Sequence, residues 1–310
     1  MTGIVSISPT IDKTYLIDSL TPGRTPAILE ANTCAAGKAV NIAKIFKALG
    51  REAYLTGFAG GSAGQSLLHR LDAMGLTHDF LSIKGNVRTN VNIIEHGSGR
   101  STLLCEPSPD ITPSDFDRLS QKVEALCDSC ELIILTGALP ASCDPALYAR
   151  LIESIKSRGR RVFLDTCGAP LAEGIKAVPY LVKPNEEEMA GLSGLDSKDT
   201  KALIEYAVRL QRQRGISYVL LSLGERGAAL IGEDVSLFGH PPPVVPLNTV
   251  GCGDSMVAAF THYLLLEKPV AEAFSFALGA GAANTLSLEP AQFDLSEALR
   301  LTAMCNIENI

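Results

Sequence analysis

The chain has 310 residues, 46% of them hydrophobic and 20% charged, with a net charge of −7. That length and apolar content supply a sizeable core and exclude long disorder. The acidic balance argues against a general nucleic-acid binder but leaves local anion sites open.

Short apolar runs rich in β-branched residues alternate with stretches of helical period. In chain order, the predicted strands are Ile4–Ser8, Ala53–Gly57, Leu132–Thr136, Val162–Asp165, Tyr180–Val182 and Tyr218–Ser222. The predicted helices are Lys38–Leu49, Ala63–Met74, Pro113–Leu126, Pro145–Ser157, Asp199–Gln213, Cys252–Leu266 and Val270–Leu286. Strands such as Leu132–Leu135 are apolar without alternation, as expected where helices cover both faces of a parallel sheet. The fold class is therefore α/β. Tyr15–Cys34 and Arg88–Cys105 break the rhythm and read as half-exposed antiparallel strands forming a small sheet over the main body. No apolar stretch reaches the ~18 residues of a spanning helix. The N-terminus has no basic region ahead of an apolar run, so the expectation is a cytoplasmic protein without a membrane partner. Cys127 and Cys130 form a C-x-x-C, but no second pair stands at zinc spacing, and free thiols are expected.

The strongest chemical signal is Asn248-Thr249-Val250-Gly251-Cys252-Gly253-Asp254-Ser255, running into an apolar helix. Glycines let the backbone turn and aim N–H groups outward, and the helix start adds its positive dipole end. The N–H groups of Gly251, Cys252 and Gly253 thus make a candidate anion hole. Asp254 in the first turn can take a proton from a nearby hydroxyl. On spacing alone it reads equally well as a helix cap.

This octapeptide is similar to the second signature of the ribokinase-like (phosphofructokinase B) sugar kinases, in which the Asp is the catalytic base. Cys34-Ala35-Ala36-Gly37-Lys38-Ala39-Val40-Asn41 and Gly57-Phe58-Ala59-Gly60-Gly61-Ser62-Ala63-Gly64 resemble the first signature. Thr136–Pro140, Leu164–Thr166, Lys183–Glu188 and Ser222–Ala228 follow in family order, so the likeness spans about Ile4 to Leu286. It implies a single kinase domain over residues 1–310, three-layered around a mostly parallel sheet. Lid strands would be inserted at about 11–35 and 88–106.

The resemblance also implies ATP and Mg²⁺. Asn185-x-x-Glu188 is similar to the element that places phosphate and metal, with Glu188 holding Mg²⁺ through water. Mg²⁺ prefers oxygen ligands and keeps waters, so one carboxylate beside a polyphosphate suffices. The alternative is a plain acidic helix start. Lys183 would reach the phosphates, or stand as a surface lysine. Ser222, Gly224 and Gly227 would border the nucleotide, or form only a hairpin turn, and Asn284 would wall the purine.

Asp12, Gly37 and Asn41 correspond to the sugar-binding group, Asp12 reading otherwise as a turn residue. Lys38 and Arg88, with Asn90 beside Arg88, indicate a sugar that already carries a phosphate, since an ammonium and a guanidinium converging suit that anion. Arg88 could instead be a solvated lid residue. Ala35–Lys38 resembles 1-phosphofructokinases more than tagatose-6-phosphate kinases. Ala39, Ser108, Thr136 and Ala138 depart from the usual Gly and Ser residues. The expected reaction is ATP-dependent phosphorylation of a ketohexose phosphate, with fructose 1-phosphate giving fructose 1,6-bisphosphate. The alternatives are a tagatose-6-phosphate kinase, a 6-phosphofructokinase, and a non-catalytic sugar-phosphate sensor on a kinase fold. A homodimer paired through the lid sheet is also expected.

Overall fold

The computed structural model describes residues 1–310. The first half contains β1 (Thr2–Ser6), β2 (Thr10–Ile17), β3 (Ile28–Ala36), α1 (Lys38–Ala48), β4 (Ala53–Ala59), α2 (Gly61–Ala73), β5 (Thr77–His78), β6 (Leu81–Ser82), β7 (Arg88–Glu95), β8 (Ser101–Cys105), α3 (Pro113–Leu126), β9 (Leu132–Thr136) and α4 (Leu147–Ser157). Then come β10 (Arg161–Asp165), α5 (Gly168–Lys176), β11 (Leu181–Val182), α6 (Glu186–Ser193), α7 (Thr200–Arg214), β12 (Tyr218–Ser222), β13 (Ala228–Gly232), β14 (Ser236–His240), α8 (Cys252–Leu265), α9 (Val270–Asn284), α10 (Leu295–Thr302) and β15 (Asn306–Asn309).

The main sheet runs β15-β14-β13-β12-β11-β10-β9-β1-β4-β5, with β6 also on β4. It is parallel from β4 through β12 and antiparallel from β13 to β15. Strand β9 explains the unbroken apolar runs. Its Ile133 and Leu135 enter one core with α3, α4 and α7. Its Leu132 and Ile134 enter a second core with α1, α8 and α9. Both faces are buried, so neither set of alternate positions can be polar. Three layers result.

The second sheet runs β3-β2-β7-β8. Strands β2 and β3 pair antiparallel, as do β7 and β8. The join between the two hairpins, β2 with β7, is parallel, a correction to the all-antiparallel expectation. Of the predicted elements, Leu132–Thr136, Tyr218–Ser222 and Pro113–Leu126 have the observed bounds, the other helix and main-sheet ends move by up to two residues, and the lid segment expected from Tyr15 begins at Thr10.

Helices α5, α6 and α10 and strands β5, β6 and β13 to β15 complete the fold beyond the predicted set. In α5 a Pro170 in the first turn and two glycines disguise the helix. Strand β15 is short and polar, and it pairs with β14 from far along the chain. No helix is long and apolar enough to cross a membrane.

Candidate active site

The chemistry-bearing side chains gather where the parallel strands end, the usual ligand position in an open α/β sheet. Gly251 caps α8 with φ 85°, and a Cβ there would stand 2.9 Å from the Ala291 nitrogen. Only glycine fits this turn. It aims the first turn of α8 at the cleft, and Asp254 lies in that turn, 6% exposed.

Asn41, one turn into α1, donates its Nδ2 to Asp254 Oδ2 at 2.7 Å. Burial disfavours the Asp254 carboxylate, and the negative charge of Asp165 adds to that. Lys38, the Asn41 hydrogen bond and Lys183 oppose both, and the balance raises its pKa to about 6. A carboxylate so poised takes a proton near neutral pH.

Asp165 was absent from the expected site residues, yet it is the hub. It ends β10, is 1% exposed, and accepts Lys38 Nζ at 2.8 Å and Lys183 Nζ at 3.2 Å on one oxygen. Thr136 Oγ1 reaches its other oxygen at 3.3 Å. Burial works against the Asp165 carboxylate, but Lys183 and then Lys38 hold its pKa below the ordinary value. Burial likewise works against the Lys38 ammonium, and Asp165 followed by Asp254 more than offsets it, raising its pKa. A signal for Asp165 stood in the sequence, because a carboxylate closing an apolar strand must find a buried partner.

Lys38 is turned to Asp165, because a buried carboxylate is a strong partner for an ammonium. Arg88 opens β7 beside Thr10, and its Nε is buried without a partner. Gly37 packs against the same Thr10, where a Cβ would lie 3.7 Å from the Thr10 nitrogen. One register step on, Asn90 Nδ2 donates to Asp12 Oδ1 at 3.0 Å, and Asn90 Oδ1 is a second buried orphan. Arg88, Asn90 and Asp12 thus share one face of the small sheet, since paired strand residues point the same way. The unfilled Arg88 Nε is a donor that suits an anion, and the unfilled Asn90 Oδ1 is an acceptor that suits a hydroxyl. Ser108 bonds the Ser8 hydroxyl, tying the exit of β8 to the end of β1.

On the nucleotide side, Asn185 and Glu188 form a reciprocal capping box at the start of α6, each side chain accepting the other's N–H at 2.8 Å. Glu188 uses only Oε2 for this. Its Oε1 remains for a hydrated cation, and its charge is felt by Lys38. There is no cluster of three or more acidic, His or Cys side chains of the kind a protein-only metal cage needs. One free carboxylate oxygen fits Mg²⁺ arriving on a polyphosphate.

Ser222 bridges to Asn185 at the end of β12. Gly224 has φ 59° with open space around it, as a backbone contact site needs. Gly227 has a packing reason, because a Cβ there would fall 2.1 Å from the Gly239 oxygen. Asn284 is a correction. It is wholly buried, its Nδ2 donates to the Val250 oxygen and Cys252 Sγ, and its Oδ1 accepts from Ala291 N and Ser255 Oγ. Its amide has nothing left for a purine, and it braces the Gly251 loop instead.

A glycine-rich helix start facing a buried carboxylate, at the carboxyl ends of a parallel sheet and beside a small second sheet, defines a phosphotransferase of the three-layer α/β kind. The model of the pfkB family of carbohydrate kinases matches residues 1–295, and the chain belongs to that family. It is 28% identical to a 1-phosphofructokinase of Borreliella burgdorferi over 99% of this chain and 98% of that one. It is 27% identical to a 1-phosphofructokinase of Escherichia coli K12 over 97% and 95%. Phosphofructokinase-2 from Escherichia coli in complex with potassium shares the fold with a TM-score of 0.91 at 24% identity, over 97% of this chain and 98% of that one. Arabidopsis thaliana ribokinase complexed with ribose and ATP does so with a TM-score of 0.78 at 20% identity, over 97% and 98%.

Proposed function

We propose that this carbohydrate kinase transfers the γ-phosphoryl of MgATP to the free primary hydroxyl of fructose 1-phosphate, giving fructose 1,6-bisphosphate. The observation that carries the chemistry is the buried Asp254, tuned to about 6 at the first turn of α8. The choice of sugar rests on the curated 1-phosphofructokinases matched over nearly their full length. The orphaned Arg88 Nε supports a substrate that already carries an anion, and the orphaned Asn90 Oδ1 supports a hydroxyl beside it.

In this reading Asp12 and Asn90 hold sugar hydroxyls, Gly37 keeps the backbone close, and Arg88 takes the existing phosphate. Asn41 orients Asp254, which accepts the proton of the attacking hydroxyl. The N–H groups around Gly251, Cys252 and Gly253, with the ammonium groups of Lys38 and Lys183, meet the negative charge of the transferred group. Ser222 and Gly224 border the nucleotide, and Asn185 orders its phosphate end. Mg²⁺ held near Glu188 would neutralise the triphosphate. The small sheet serves as a lid that excludes water. Positioning and electrostatics supply most of the rate.

The lid also carries Ile28, Leu29, Leu103 and Leu104 at 52%, 59%, 60% and 55% exposure, an apolar surface suited to a second copy of the chain. Eight unpaired cysteines suit a reducing, cytoplasmic setting.

ATP consumption measured with fructose 1-phosphate, fructose 6-phosphate and tagatose 6-phosphate tests the assignment. The highest kcat/KM belongs to fructose 1-phosphate. A preference for tagatose 6-phosphate overturns the sugar and keeps the kinase. Binding of all three without turnover overturns both and leaves a sensor.

A further inference from the structure

We propose that Asp165 is a positioning residue for phosphoryl transfer, fixing the ammonium groups of Lys38 and Lys183 together at the start of α8. The proposal rests on the kinase reading above and adds a residue to it.

The geometry is specific. Lys38 opens α1 and Lys183 follows β11, so the two arrive from opposite sides of β10. One oxygen of Asp165 accepts both, at 2.8 and 3.2 Å. Their nitrogens therefore lie within about 6 Å of each other. Lys183 has a 3% exposed side chain, and a Cβ on Gly253 would stand 3.3 Å from its Nζ. A buried ammonium thus sits against the positive end of a helix, where the dipole repels it. A like charge stands beside it. Asp165 is the carboxylate that contacts both ammonium groups, with Asp254 acting on them from further off, and Thr136 holds Asp165 from its other side.

A buried ion triad is a poor device for stability alone. Lys38 indicates what it is for. Its side chain is 34% exposed against 3% for Lys183, so Lys38 is the more open member of the triad and Lys183 backs it. With Asp254 ionised, the four groups Lys38, Lys183, Asp165 and Asp254 are neutral together. In the reaction the hydroxyl oxygen forms a bond to the γ-phosphorus. The bond from that phosphorus to the bridging oxygen breaks, its electron pair leaves on ADP, and the hydroxyl proton goes to Asp254. The cluster then carries a net positive charge beside the phosphoryl group in transit. Without Asp165 the lysines would repel each other out of this arrangement. Glu188, Cys167 and Tyr148 also face the triad and keep their places in the test below.

The test is Asp165→Asn, which keeps shape and a hydrogen-bond acceptor but removes the charge. The expected kcat falls by about 10- to 100-fold, as when a supporting residue is lost. The acid limb of kcat/KM also moves to lower pH, because Asp254 loses a neighbouring negative charge. A merely structural role would lower the amount of folded enzyme and leave kcat per folded molecule unchanged. Asp165→Glu keeps the charge but displaces the lysines, so its limb stays at the wild-type position while kcat drops. It serves alone if the Asn variant does not fold. A wild-type kcat in either variant overturns the proposal, as does an unmoved limb in Asp165→Asn. Full recovery at raised Mg²⁺ also overturns it, since Asp165 would then act on the metal. The kinase reading fails separately, through absence of turnover in the wild-type enzyme.

Discussion

In Asp254→Asn the side chain keeps its shape and its hydrogen bond with Asn41 but loses its charge. Burial first, and Asp165 with it, raises the Asp254 pKa from 3.8 to about 6. At about 1.4 kcal/mol per pH unit, ionising it inside the folded protein costs on the order of 3 kcal/mol. The folded pKa is the higher one, so the stability lent by the protonated group is complete below 3.8 and lost as pH rises through about 6. At about pH 7.5 the wild type bears the whole cost and the Asn variant bears none. The variant is therefore the more stable protein there, with Tm higher by about 5 °C. The gap closes as pH falls toward about 4. Its kcat falls by about 100- to 10,000-fold, the usual contribution of a general base. Thermal unfolding at both pH values and a coupled ADP assay measure the two effects. Wild-type turnover would falsify the base assignment. A Tm below wild type at neutral pH would refute the account of its burial.

In the wild type, kcat/KM rises about tenfold per pH unit below about 6 and levels above it, because the base must be ionised. A flat profile through that range removes Asp254 from the role. Arg88→Ala raises KM for the sugar phosphate by about 10-fold or more and leaves KM for ATP within about twofold, as loss of a charge-assisted contact predicts. Equal effects on both substrates would sink the phosphate-anchor role. Gly227→Ala forces a Cβ into the Gly239 carbonyl at φ 108°, so it lowers stability by about 2 kcal/mol or more without a selective effect on KM for ATP. Unchanged Tm would show that β13 and β14 can part at little cost.

The α/β alternation, the helix-covered parallel sheet and the glycine-rich start of α8 were legible along the chain. Each depends on neighbours in sequence: apolar runs, glycines before a helix, a carboxylate in its first turn. The capping box of Asn185 and Glu188 was half legible, since the acidic helix start was expected. Helix α10 had a readable start in Asp294, which caps Glu297. Strand β15 had none, because four polar residues become a strand only when β14 offers them an edge.

What the sequence by itself determined is the place of Asp254, at a glycine-rich helix start. Only the tertiary structure decided its partners. Lys38 lies 127 residues from Asp165, and no spacing rule joins them. Parallel strands put Asp165 and Lys183 at one end of the sheet, and α1 brings Lys38 and Asn41 to the same point. In water these charges would be nearly independent. In a water-poor cleft they set one another's protonation, which is the physical reason the site could not be read one residue at a time.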